Sequence, residues 1–266
     1  MASAVYLGLA WHFWNTRWRR HGGAAGSGLR RWERGAMLVP LGLHAWLLHA
    51  GLFSAAQLRF GFAQALSVMM FLGVALYWVE SLFYSLEGME PLVLPLAAAA
   101  VPLPALFPGL AASAAHSDAA GFRLHLALAM IAYSLFVIAL LHATLMALAE
   151  RQLHRKTSPV FSSLPPLLTL ERLLFRVIGA AFFFLTLTLV TGIVFSETLF
   201  GRALRFDHKT VFAILSWATF GLLLGGRALY GWRGRTALRW TLTGFVMLLL
   251  AYVGSRFVLE VLLGGR

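Results

Sequence analysis

The stretch FDHKTVFAILSWATFGLLLGGRALYGWRGR, Phe206 to Arg235, decides the class of this protein. Residues 210–226 carry no charge. A helix needs about 20 mostly apolar residues to cross the hydrocarbon core of a bilayer, and residues 208–229 meet that need. The stretch opens on Asp207, His208 and Lys209 and closes on Arg227, Arg233 and Arg235. Ionisable groups at a span are costly and point to function by default. The plain alternative is a helix start. An acid is stabilised by the positive end of the helix dipole, and a lysine reaches out to the headgroups.

The rest of the chain agrees with this stretch. Hydrophobic residues make up 60% and charged residues 12%, with a mean hydropathy of +0.78. A soluble domain carries about 25% charged residues, so this is a membrane protein. The chain contains no cysteine. That excludes disulfides, thiolate metal sites, cysteine nucleophiles and covalent haem attachment through its own thiols. The net charge of +12 sits in short loops between apolar runs, which a membrane explains better than a nucleic acid does.

Eight apolar segments follow: 2–16, 36–54, 61–84, 91–108, 122–149, 174–198, 208–229 and 237–262. They predict an all-α, polytopic membrane helix bundle. It forms one integral-membrane domain over 1–266, with a flexible basic cytoplasmic loop at 19–35. The first segment is short, and without a basic flank or cleavage site it does not read as a signal peptide. The fourth carries Pro91, Pro95, Pro102, Pro104 and Pro108. Proline removes an intrahelical hydrogen bond, so this helix is expected to bend or break between Leu96 and Pro108. Fifteen of the 22 Lys and Arg residues fall in the loops joining segments one to two, five to six and seven to eight. The positive-inside rule then places both termini outside the cytoplasm. The loop joining segments three and four holds Glu80, Glu87 and Glu90 and no Lys or Arg.

Nine histidines punctuate this chain. His21, His116 and His154 read as solvated loop residues, and His12 as an interfacial anchor. His44, His49, His125, His142 and His208 lie in or at the edges of spans. Each is open to two readings: a functional group facing the bundle interior, or polar glue between helices. His49, His125 and His208 fall near the outer ends of segments two, five and seven. His44 lies about 7.5 Å deeper than His49 and is turned about 140° from it, so the two cannot face one pocket. His142 lies about 25 Å along the helix from His125, in the other half, where packing is its expected role. Imidazole ligates transition metals and haem iron. A zinc site would want three or four converging ligands, whereas a bis-histidine haem needs two. The residues alone leave metal or haem open.

Three stretches carry a resemblance. LHLALAMIAYSLFVIALLHATLMAL has a histidine followed eight residues later by a tyrosine, His125 and Tyr133. TLTLVTGIVFSETLFGRALRFDHKTVFAILSWATFGLLLGGRALYGWRGR has a D-x-K, Asp207 to Lys209, and a downstream G-W-R-G, Gly231 to Gly234. LAYVGSRFVLEVLL follows. With LRFGFAQALSVMMFLGVALYWVES nearer the front, the chain resembles the cytochrome c assembly protein family over most of residues 40–260. That family includes CcsA-, CcmC- and HemX-like proteins, and the chain closely resembles its short eight-helix bacterial inner-membrane members.

The resemblance implies a multi-pass protein of the bacterial inner membrane, non-covalent b-type haem, and action in cytochrome c maturation or haem supply. Its implied partners are the lipid bilayer, haem, and apocytochrome c or another membrane protein. It implies His125 as an external iron ligand. The candidate haem-contacting set is His125, His208, His44, His49, Asp207 and Lys209, with His208, His49 or His44 as partner to His125. Two departures matter. Haem-delivering members carry a tryptophan-rich stretch before the D-x-K, and FSETLFGRALRFDHK has no tryptophan. They also carry a second external histidine, and AYVGSRFVLEVLL has none. Asp207-His208-Lys209 therefore reads as a degraded haem-presentation edge. The alternative is a non-catalytic membrane scaffold that regulates a neighbouring enzyme or metal-ion transporter. An enzyme is not expected, because no Ser-His-Asp set, HExxH or phosphate loop is visible. Ser134, Thr186 and Ser216 read as helix-packing residues.

Overall fold

A computed structural model describes residues 1–18, 29–53, 60–84, 88–109, 119–155, 166–200 and 207–263. Side chains at 53, 152–155 and 196–200 lie outside that description. So do most of the basic loop at 19–35, His21, His116 and the His154 side chain.

The described residues are helical and contain no strand. Helix α1 spans Ala2–Phe13 and runs on as a π-turn over Trp14–Trp18. Then come α2 (Arg31–Phe53), α3 (Phe62–Phe83) and α4, whose regular part is Glu90–Ala100. The long helices α5 (Ala120–Arg155) and α6 (Leu167–Phe200) follow. The last two are α7 (His208–Tyr230) and α8 (Arg235–Leu262). Six of these, all but α1 and α4, are long and apolar enough to cross a membrane. The protein is a multi-pass membrane protein.

The proline-rich segment breaks as its composition requires. After Ala100 the chain turns at Val101 and Pro102, and a short helical piece covers Leu103–Leu106. Two carbonyls left over at its end, those of Phe107 and Pro108, accept from the Gln64 side-chain amide at 3.2 and 2.8 Å. The Gln64 amide oxygen meanwhile accepts the Gly61 N–H at 3.0 Å, at the start of α3. One buried glutamine thus satisfies the end of one helix and the beginning of another.

Helix α5 is the hub. It packs on α3, α6 and α8, while α7 packs on α6 and α8. On the other flank α2 packs on α1 and α3, and α4 on α1 and α3. Phe136 of α5 stacks on Phe220 of α7 with ring centres 3.8 Å apart. Gly244 lies against the same Phe220 ring, where a Cβ would collide. The Ser216 hydroxyl crosses from α7 to donate to the Gly244 carbonyl at 2.9 Å. Ser134 donates to Met130 O within α5, and Thr186 accepts the Trp217 indole N–H at 2.9 Å. All three hydroxyls serve packing, as expected from their neighbourhoods.

The G-W-R-G run is a turn. Gly231 ends α7 in the left-handed conformation (φ 66°), with its N–H returned to the last turn. Gly234 also has positive φ, 59°. These are backbone states that glycine adopts without strain. Between them Trp232 folds back onto Gly226 and stacks on Trp240 at 5.3 Å.

Candidate functional site

His125 stands in the second turn of α5 and is half-buried against α6. Its Nδ1 lies 3.1 Å from Thr191 Oγ1. That threonine hydroxyl also lies 2.8 Å from Leu187 O and 3.0 Å from Thr188 O, both in its own helix. A hydroxyl has one hydrogen, and a carbonyl can only accept. With the threonine hydrogen directed to its main chain, Nδ1 is the donor to Thr191. The ring also hydrogen-bonds the Thr188 carbonyl, 3.0 Å from the same threonine hydroxyl, and a neutral ring that donates from Nδ1 carries its lone pair on Nε2. Two glycines let the helices approach here. A Cβ at Gly192 would stand 3.3 Å from His125 Cε1, and one at Gly121 would run into the Phe195 ring. One and two turns further on, the core closes. The Tyr133 hydroxyl donates to Leu248 O at 2.6 Å and ties α5 to α8.

The other candidates differ. His44 is fully buried. Its Nε2 lies 2.9 Å from Ser67 Oγ and its Nδ1 3.4 Å from the Tyr6 hydroxyl, so both nitrogens have partners on neighbouring helices. Tyr6 and Phe71 meet its ring edge-on. His49, one and a half turns along α2, is exposed. The 140° rotation between them is realised. Helix α2 packs mainly on α1 and α3, so neither residue is presented to His125. His208 is exposed at the start of α7, and α7 packs on α6, the helix that holds the His125 ring. Asp207 is the N-cap of α7. Its carboxylate accepts the Thr210 N–H at 3.0 Å and the Thr210 hydroxyl at 3.1 Å. Lys209 is half-buried beside it.

Sequence reasoning missed several residues. Thr191 and Gly192 were visible only as a small pair, T-G, inside an apolar run. His12 is no mere interfacial anchor: its Nε2 lies 3.2 Å from Glu33, which also holds Arg17 at 2.9 Å and the Arg30 N–H at 2.8 Å. Glu33 is buried. Glu80 lies inside α3, within the expected segment 61–84, and Glu90 is not a loop residue but the first position of α4. Among the described residues no three His, Cys, Asp or Glu side chains gather as a metal ion would need.

The family model for cytochrome C assembly protein matches residues 35–263. The chain belongs to this family. Among curated proteins it is similar to inner membrane protein YpjD of Escherichia coli K12, 34% identical over 142 residues, or 53% of each chain. It is also similar to an uncharacterized 28.8 kDa protein of Azospirillum brasilense, 39% identical over 144 residues, covering 53% of this chain and 52% of that one. The cytochrome c biogenesis protein CcsA of Nostoc punctiforme is 33% identical over 86 residues, 32% of this chain and 24% of its own. The chain spans about half the length of these first two curated relatives. No solved structure matches it. Within this cytochrome c assembly member, Tyr133 is fixed into the core and His125 stands at its edge.

Proposed function

We propose that this protein is a non-catalytic haem-handling protein of the bacterial inner membrane, acting in cytochrome c maturation or haem supply, with His125 as an iron ligand. The observation that carries this reading is the 3.1 Å contact of His125 Nδ1 with Thr191 Oγ1, whose own hydrogen has main-chain acceptors. A metal-ligating histidine commonly donates its other ring N–H to a neighbouring acceptor, which sets the tautomer and orientation. Thr191 supplies that acceptor and leaves Nε2 as the donor atom. The haem would be of b type, since the chain has no cysteine to attach it. When bound, it would supply an iron centre for transfer or storage. The chain's own residues would orient one imidazole and keep it neutral.

His208 is the proposed partner. It lies on the helix that packs against α6, whereas His44 has both nitrogens engaged and His49 lies on a helix that packs mainly on α1 and α3. The charge split further supports both termini outside the cytoplasm. A C-terminal reporter that works only in the cytoplasm is then expected to be silent, and activity would reverse the orientation.

The test is the absorption spectrum of the full chain, purified after expression with excess haem. A Soret band is expected, and it should be lost in His125→Ala while His49→Ala keeps it. Wild-type protein without haem would sink the proposal. In that event the scaffold reading takes over, in which the protein regulates a neighbouring enzyme or metal-ion transporter. One observation favours that reading: the segment after the signature carries Arg256 and Glu260 and no histidine.

A further inference from the structure

Toward the other end of α5, away from His125, lies a buried ionisable group that haem handling does not use. His142 of α5 and Glu90 of α4 are fully buried, and Glu80 of α3 keeps 13% of its side chain exposed. His142 Nδ1 is 2.9 Å from the Ile138 carbonyl. A carbonyl only accepts, so Nδ1 carries a hydrogen, and a neutral ring then has its lone pair on Nε2. Nε2 faces Glu80 Oε1 at 3.4 Å and, with that ring nitrogen and carboxylate as they stand, makes no hydrogen bond. An ionised carboxylate also offers only acceptors. Two acceptors would face each other in a dry site unless one more proton lies between them.

Where that proton resides follows from the surroundings. On α3, Tyr77 hydrogen-bonds the Glu90 carboxylate of α4, whose Oε2 also accepts the Gly88 N–H at 2.9 Å. The turn after α1 brings Arg17, held by Glu33 of α2. Helix α6 brings Arg176, which donates to the Tyr84 hydroxyl, and Glu171, paired with Arg227 of α7. Helix α8 brings Arg235, 4.0 Å from Glu150 of α5. Among the described residues none of these cations pairs with Glu80. Glu80 Oε2 has no hydrogen-bond partner either. An imidazolium-carboxylate pair would bury two charges and leave the second carboxylate oxygen without a donor, and burying charge costs several kcal/mol per ion. The neutral pair avoids that cost.

We propose that Glu80 and His142 form a buried proton-binding site, in which the Glu80 carboxylic acid donates to His142 Nε2 and Glu80 is its opening to water. No bond other than the O–H changes: the proton arrives from water on the Glu80 side and leaves the same way. Losing it leaves a bare carboxylate against an imidazole lone pair, at the seam of α3 and α5. The site is therefore a proton load that opposes opening of that seam.

Infrared titration of the full chain in lipid nanodiscs tests this, with the glutamate carboxyls isotope-labelled. At neutral pH a protonated-carboxyl carbonyl band is expected, and it should move on labelling. The band should disappear in Glu80→Gln, and shift in His142→Gln, where the acceptor changes. Glu90→Gln should leave the Glu80 component in place. Should Glu80→Gln fail to fold, Glu80→Asp should remove the label-sensitive Glu80 component and keep a carboxyl band. Nitrogen NMR of His142 should report hydrogen on Nδ1 alone. A doubly protonated ring with no carboxyl band would mean an ion pair and overturn the proposal. So would a band that survives Glu80→Gln unchanged, or one abolished by exchanging choline for sodium, which would indicate a cation site.

Discussion

His44 and His125 are both imidazoles on long apolar helices, yet the structure treats them differently. His44 has a hydroxyl at each nitrogen and aromatic edges against its ring. His125 has one hydroxyl at Nδ1 and is half-buried. The difference separates a histidine used as mortar from one held ready for a ligand. A buried imidazole whose two nitrogens are both satisfied can bind iron only by breaking two hydrogen bonds and moving its neighbours. One pinned at a single nitrogen needs no rearrangement to offer the other. Burial of a histidine in a membrane bundle is thus a weaker sign of ligation than an unspent nitrogen.

The sharpest way to break this comparison is to delete each ring. His125→Ala is expected to bring haem per protein down to background with the thermal midpoint nearly unchanged. His44→Ala should do the opposite, keeping haem and losing on the order of 2–3 kcal/mol of stability from the orphaned Tyr6 and Ser67 hydroxyls and the emptied space. Haem content and melting, measured on the same preparations, decide it. Equal haem loss in both would erase the distinction. Acid should act on the same nitrogen: ligation requires neutral imidazole, so haem is expected to dissociate as acid protonates the ring. A haem spectrum that stays unchanged until the protein itself unfolds in acid would argue against histidine ligation.

Smaller changes sharpen the comparison. Thr191→Val removes the acceptor of the His125 Nδ1–H. Loss of such a supporting partner typically costs 10–100-fold in metal affinity, so haem should bind roughly 10-fold more weakly with a moved Soret band. An unmoved band and affinity would show that Thr191 does not orient the ring. Asp207→Ala should have the least effect on haem. As the N-cap of α7 it is expected to contribute about 1 kcal/mol, visible in melting and absent from the spectrum. Haem loss in that variant would restore Asp207 to the site.

The helices were legible in the chain because a bilayer imposes a length and an apolarity that composition records directly. Segment 61–84 became Phe62–Phe83, and segment 208–229 became His208–Tyr230. The break in α4 was legible because two prolines one residue apart, Pro102 and Pro104, cannot join one ladder. What hydropathy could not show is pairing across helices. Glu33 and Glu80 lie near helix ends, where an acid usually meets water, and nothing local announces that His12 and His142 stand opposite. His125 stood out through its motif, whereas Thr191 lies 66 positions away in sequence. Its role exists only once α5 and α6 are side by side.

The unequal lengths of the helices have a consequence for the membrane around them. Helix α1 and its π-turn hold 12 and then five residues, and α4 is regular for 11 before its break. At 1.5 Å per residue the described part of that flank measures about 25 Å, against a hydrocarbon core of about 30 Å. The hub α5 has 36 residues, about 54 Å. With helices of that length, lipid beside α1 and α4 is expected to shorten its tails' reach to meet the protein, at a fraction of a kcal/mol for each Å. The bundle carries a thin edge with it, and thicker, more ordered lipid will be driven from that edge toward the other flank.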